Sequence, residues 1–242
     1  MKKTLVTLLT LVVLGSNPAH AEEPPQQSKE EKELVVSTTI GITGASKYLS
    51  SRGFTPHDRP SIQPFVSLSA GHGTAGNLTV GYWGSIDAAS AEEIERDYTI
   101  DLNINSDPVS FAAGWGHYHL PSLGTFTEFN GSVSVDSPLH PKFYAAFDYS
   151  ELGSGFFSEL SIGEKSNLGN IHLEASIAGL YNHEYGSEGS GFAGFRIDVS
   201  VPIPLSTSLT LTLAGRQFLS MSDRFQSDTA ASATLSYTKS SE

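Results

Sequence analysis

The sequence predicts an all-β fold, a single antiparallel transmembrane β-barrel of about twelve strands. Three observations carry the prediction. Segments of strictly alternating polarity recur from residue 34 almost to the C-terminus. Clusters of Gly, Pro, Asn, Asp and Ser separate them as turns do. The polar faces of these segments hold charges and amides in mid-strand, which a wet lumen tolerates and a packed core does not.

The N-terminus comes first. Lys2 and Lys3 precede an apolar run from Leu5 to Leu14, and Ala19-His20-Ala21 offers an A-x-A cleavage site. Residues 1–21 therefore read as a secretory signal peptide, too short in its apolar part to cross a bilayer as a helix. Residues 22–33 (EEPPQQSKEEKE) read as a flexible acidic leader, being polar, Pro-containing and dense in charge. The barrel is expected over 34–242. No later segment approaches the ~20 continuous apolar residues of a helical span.

The clearest strand is Asp97 to Asn105. Tyr98, Ile100, Leu102 and Ile104 point one way; Asp97, Thr99, Asp101, Asn103 and Asn105 point the other. A helix cannot produce that period of two. Phe195–Ile203, Leu209–Leu213 and Ile171–Ile177 alternate in the same way. Further strands are expected at 34–50, 62–71, 77–87, 109–120, 125–136, 142–151, 155–164 and 229–238. Turn signals fall between them at Gly71-His72-Gly73, Asn105-Ser106-Asp107-Pro108, Asp136-Ser137-Pro138, Gly153-Ser154-Gly155, 166–170 and Pro204-Leu205-Ser206. Within one loop, Ala88 to Arg96 has the composition for one or two helical turns.

Periodicity alone fits a soluble sandwich as well as a membrane barrel. Strand length favours the membrane, because ~9–11 residues cross a bilayer at a tilt whereas soluble strands average about five or six. An even strand count suits a closed single-chain bacterial barrel. Aromatics lie near strand ends, as interfacial girdles do: Tyr48, Tyr82, Trp83, Tyr98, Trp115, Tyr118, Tyr149, Tyr181 and Tyr237. With a periplasmic N-terminus, the long polar connections Ser51–Ser61, Asp87–Glu95 and Asn182–Ser190 all face outward. The chain is expected in the bacterial outer membrane, with its lipid and lipopolysaccharide as partners. The last strand reaches the aromatic Tyr237, the kind of signal that the barrel-assembly machinery reads, and residues 238–242 follow it.

Composition excludes other classes. A formal net charge of −12 argues against a nucleic-acid partner, since phosphate binding needs clustered Lys and Arg. Loss of the signal peptide, with its two lysines, takes the charge to −14. The chain has no Cys, hence no disulfide, thiolate metal site or Cys nucleophile. His72, His140, His172 and His183 lack metal-ligand spacing, so neither a metal nor a cofactor is expected.

Several segments are similar to a known family. Tyr48-Leu49-Ser50-Ser51-Arg52-Gly53-Phe54 followed by Pro60-Ser61-Ile62-Gln63-Pro64 resembles the start of the TorF-type porins. Tyr82-Trp83-Gly84-Ser85 with Asp87, then Glu95-Arg96-Asp97-Tyr98, resemble that family's next two segments. His117-Tyr118-His119-Leu120-Pro121 and Phe126-Thr127-Glu128-Phe129 are similar to the ones after. The likeness covers roughly residues 40–165 and implies a small outer-membrane barrel acting as a porin.

Strand parity places Lys47, Asp97, Asp101, Glu128, Asp136, Asp148, Glu159, Glu174, Arg196, Asp198 and Arg216 on the inner face. Acids outnumber bases, so an open pore would prefer cations or neutral solutes. The same charges also suit a salt-bridged plug, since side chains already fill barrels of eight strands. Arg52 and Arg59, in the first outward loop, are candidates for a constriction or for lipopolysaccharide phosphates. An enzyme is not expected. His117 and His119 share the lipid-side face near the rim, no third triad member lies at their depth, and neither G-x-S-x-G nor H-E-x-x-H occurs.

Overall fold

The computed structural model describes residues 34–52, 55–72, 76–122, 124–150, 154–168, 171–185, 190–222 and 225–241. The signal peptide and leader expected over 1–33 lie outside the described residues. Twelve strands form: β1 (Val35–Ala45), β2 (Ser61–Gly71), β3 (Gly76–Asp87), β4 (Glu93–Ser106), β5 (Val109–Leu120), β6 (Gly124–Val135), β7 (Lys142–Asp148), β8 (Gly155–Leu168), β9 (Ile171–His183), β10 (Ser190–Pro204), β11 (Leu209–Ser220) and β12 (Asp228–Ser240). Each pairs antiparallel with its neighbours in the chain, and β1 pairs with β12 to close the barrel. Closure leaves no unpaired edge, which a β-structure in lipid requires.

The alternating pattern has a direct physical consequence. Tyr98, Ile100, Leu102 and Ile104 stand exposed on the outside of β4, while Thr99 and Asp101 turn inward. Every strand contributes at least one such exposed large apolar side chain, from Ile40 on β1 to Leu235 on β12. In water this continuous patch would drive aggregation; against hydrocarbon it is the stable arrangement. The barrel spans a membrane.

Inside, the two halves differ. Towards the rim that carries both chain ends, the wall is small and polar and its side chains bond across strands. Thr39 pairs with Thr238 at 2.9 Å, Ser69 with Thr79 at 2.6 Å and Asn103 with Asn77 at 3.0 Å. Towards the opposite, loop-bearing rim the lumen is filled. Leu49, Ala146, Phe157, Ala178, Leu180, Tyr185, Ala193 and Phe218 pack there as one buried cluster.

Several sequence expectations are corrected. The strand expected over 34–50 ends at Ala45, and 46–60 form a loop, L1, that turns back into the barrel; Lys47 belongs to L1, not to the strand wall. Over 88–96 the chain makes a single turn, closed by the Ala91 N–H on the Asp87 carbonyl at 2.9 Å, and no second one. Asp87 accepts hydrogen bonds from the backbone N–H of Ala89 (2.7 Å) and Ser90 (2.8 Å), which tightens the connection and lets β4 begin at Glu93. The expected long connections at 87–95 and 182–190 are thus shorter, the second because β9 runs on to His183. Tyr48, Trp83 and Tyr118 are not girdle residues. They face the interior, whereas Tyr82, Tyr98, Tyr149, Tyr181 and Tyr237 are exposed outside. Asp136 lies on the exposed turn after β6, beside His140.

Candidate functional site in the lumen

L1 is tied to the rim before it descends. Lys47 donates to Asp228 (2.7 Å) and pairs with Asp58 (2.8 Å); Thr55 donates to the other oxygen of Asp228 (2.7 Å). These two carboxylates hold the Lys47 ammonium above its ordinary pKa. His57 meets Asp87 at 2.7 Å, and Arg59, largely exposed, reaches the same carboxylate at 3.1 Å. From these anchors residues 49–52 turn into the lumen.

Arg52 is the tip of that segment. Its Nη2 donates to both oxygens of Glu128, at 2.8 and 2.7 Å, and its guanidinium lies over the rings of Tyr118 and Tyr185. Glu128, on β6, is 1% exposed. It also accepts from Tyr118 (2.7 Å), Tyr144 (3.3 Å), Asn130 (3.2 Å) and Tyr185. A carboxylate so deeply buried is tolerable only when paired and fully hydrogen-bonded. Tyr185 enters from the loop after β9, and burial pushes its phenol far above the usual range, so it remains a donor.

A second knot stands on β8, β10 and β11. Arg196 forks onto Glu159 at 2.6 and 3.0 Å and reaches Asp198 at 2.6 Å through Nε. Arg216 donates to the remaining oxygen of Asp198 at 2.5 Å. Both arginines also bond the L1 backbone: Arg196 to the carbonyl of Ser51, Arg216 to that of Leu49 at 3.3 Å. Side chains at the same depth thus form a scaffold that grips the loop.

Six of the sequence candidates (Arg52, Glu128, Glu159, Arg196, Asp198 and Arg216) therefore meet in two linked clusters. The others stand apart. Asp148 is buried at the end of β7 and accepts from the N–H of Ser150 at 2.8 Å. Asp101 lies inward on β4 beside Asn130 and Gly114. Glu174 is at the rim near the chain ends, half exposed, 3.5 Å from Lys165. Arg59 stays at the loop rim.

Asp97, placed inward by parity, belongs to a third group, with Glu95, which sequence reasoning did not place inside. Glu95 is 6% exposed, and Tyr48, Trp83, Gln63 and Asp97 line one side of a cavity of about 470 Å³ beneath L1. The inward side of Trp83 and Tyr144 was readable from parity, since each shares a face with polar residues rather than with Tyr82 and Phe143; that of Tyr118 was not, because its face-mates on β5 are mostly Gly and Ala while the histidines stand on the other face. The entry of Tyr48 and Tyr185 was not, because both sit on loops where no period holds. Below the rim, Arg52, Arg196 and Arg216 stand among the carboxyl groups of Glu95, Asp97, Asp101, Glu128, Asp148, Glu159 and Asp198, while Lys47, Asp58 and Arg59 of L1 pair at the rim.

No family model and no curated protein matches the chain. Among solved structures it is similar to a NanC porin, with a TM-score of 0.54 at 9% identity over 82% of this chain and 98% of that one. It is also similar to an outer-membrane channel from Pseudomonas putida F1, with a TM-score of 0.51 at 7% identity over 90% of this chain and 100% of that one. Identities this low express a shared fold. With its closed twelve-stranded wall and continuous apolar belt, the chain is a barrel of the bacterial outer membrane with the fold that these two structures share.

Proposed function

We propose that the protein is an outer-membrane channel for passive diffusion of small cationic or neutral solutes, with L1 as its constriction. One observation carries the reading: the inner wall holds an excess of carboxyl groups over arginines, and it is lined by small polar side chains on the side of the chain ends. Excess fixed negative charge in a narrow, low-dielectric passage concentrates cations and repels anions. The TorF-type motifs around Arg52, Trp83 and Glu128 support the same reading. So does the lipid setting of the belt, where lipopolysaccharide is the outer contact and the barrel-assembly machinery would take the chain by β12. No catalytic role is assigned. His117 and His119 bond Thr127 (3.2 Å) and Thr125 (3.1 Å) across the β5–β6 hairpin on the lipid side, which occupies the Nδ1 of each ring.

Reversal potentials in a planar bilayer under a potassium chloride gradient test this. Cation preference is the expected result, and anion preference overturns it. A second reading rests on the grip of Arg52, Arg196 and Arg216 on L1: a closed barrel that acts through its outer loops. A purified, folded barrel that stays electrically silent would establish that reading instead.

A further inference from the structure

Glu95 and Asp97 on β4 make no close ion pair among the described residues, unlike Glu128, Glu159 and Asp198. Glu95 and Asp97 are next neighbours on one face of the strand. Glu95 interacts with the Tyr48 hydroxyl and with the Asp97 carboxyl, yet no hydrogen-bond donor reaches its buried Oε2. Asp97 Oδ1 has none either, nor does the Oγ of fully buried Ser85, which faces Glu95 across the β3–β4 ladder. Among the described residues these are orphaned polar atoms gathered at one place, and buried polar atoms are ordinarily satisfied.

The same place has an aromatic wall. The rings of Tyr48 and Trp83 lie 5.3 Å apart and border the 470 Å³ cavity together with Asp97. Other charged residues lining it are already paired: Lys47 with Asp228, and Asp198 with Arg196 and Arg216. Arg52, whose charge also reaches this acid pair, is held by Glu128 through Nη2, and its buried Nε is a further donor without a partner. Free carboxylate oxygens beside two π faces suit a cation that carries N–H donors and a short apolar body. The volume falls in the range of about 300–1,000 Å³ typical of small-molecule sites.

We infer that this cavity binds a small primary alkylammonium ion, with its nitrogen at Asp97, backed by Glu95, and its alkyl part against Tyr48 and Trp83. The inference rests on the channel reading for access to the lumen, and deepens it by naming a solute class.

The test uses the folded full-length barrel in detergent. The chain has two tryptophans, so W115F leaves Trp83 as the reporter inside the cavity. Titration with n-butylammonium chloride is expected to give a saturable fluorescence change that sodium chloride at equal ionic strength does not. D97N should weaken it roughly tenfold or more, the loss of one hydrogen bond to a charge, while D97E should retain most of it. Heat-modifiable gel mobility confirms folding, and calorimetry with butylammonium on the unsubstituted barrel decides if a variant does not fold. An equal response to sodium, an unchanged affinity in D97N, or no calorimetric binding overturns the inference. Equal binding of tetramethylammonium overturns the N–H donation. A barrel that conducts cations but binds no amine sinks this inference alone; one that binds the amine but stays silent sinks the channel alone.

Discussion

Glu128 concentrates the cost of the filled half-lumen in one carboxylate. Its charge is sustained by Arg52 and by three phenols and an amide, so the pair behaves as one unit. Removing one partner leaves the other buried and uncompensated, which typically costs about 3–5 kcal/mol. R52A is therefore expected to lower the barrel's stability to urea by that order, followed by the heat-modifiable shift on a gel. Replacing both charges, as in R52L with E128L, should recover much of the loss, because an apolar pair of similar volume needs no compensation. A double variant as unstable as R52A would mean that the surrounding phenols, and not the missing charge, set the cost. Half of this unit was legible in the sequence. Parity places Glu128 inside; Arg52 lies on a loop, where nothing periodic tells which way a side chain turns.

Strands were the most legible elements because a lipid-facing wall enforces period two over its whole length. Departures from that period mark where something else competes. On β10 the register shifts between Phe192 and Gly194, so Phe192 and Phe195 both face lipid, edge to face at 5.1 Å, and Ala193 turns into the buried cluster. Gly194 has φ +151°, and a Cβ there would run into the carbonyl oxygen of Leu219 on β11. Only glycine tolerates such a backbone beside so close a strand. Gly194→Val should cost at least about 1–3 kcal/mol and lower the yield of heat-modifiable barrel; a variant that refolds like the wild type would show that the bulge can relax. The connection at 88–96 is shortened by a local device of its own. Asp87 caps the one turn that the Ala91 N–H closes on its carbonyl, and the positive φ of Ala91 ends that turn just before β4.

At the scale of the whole molecule, one arrangement explains both the low charge content and the sign of the charge. Only 17% of the residues are charged, because half of each strand faces hydrocarbon. The charges the strands do carry are gathered on the inside, with acids in excess. Two neighbouring positions on β4 put this to a test. Ile100 is exposed on the outer face near mid-strand, and Asp101 turns into the lumen. A lysine at the bilayer midplane costs about 2–4 kcal/mol, whereas lumen substitutions chiefly tune selectivity. Ile100→Lys is accordingly expected to destabilise the barrel by that amount in urea. Asp101→Lys should stay within about 1 kcal/mol of the wild type and move the reversal potential towards anions, since it reverses one fixed charge beside the passage. If both variants lost stability equally, the inner wall at that depth would be packed rather than wet, and the closed-barrel reading would gain. If Asp101→Lys folded and left the reversal potential unchanged, ions would not pass along the β4 side, and the acidic excess there would serve the amine site rather than permeation.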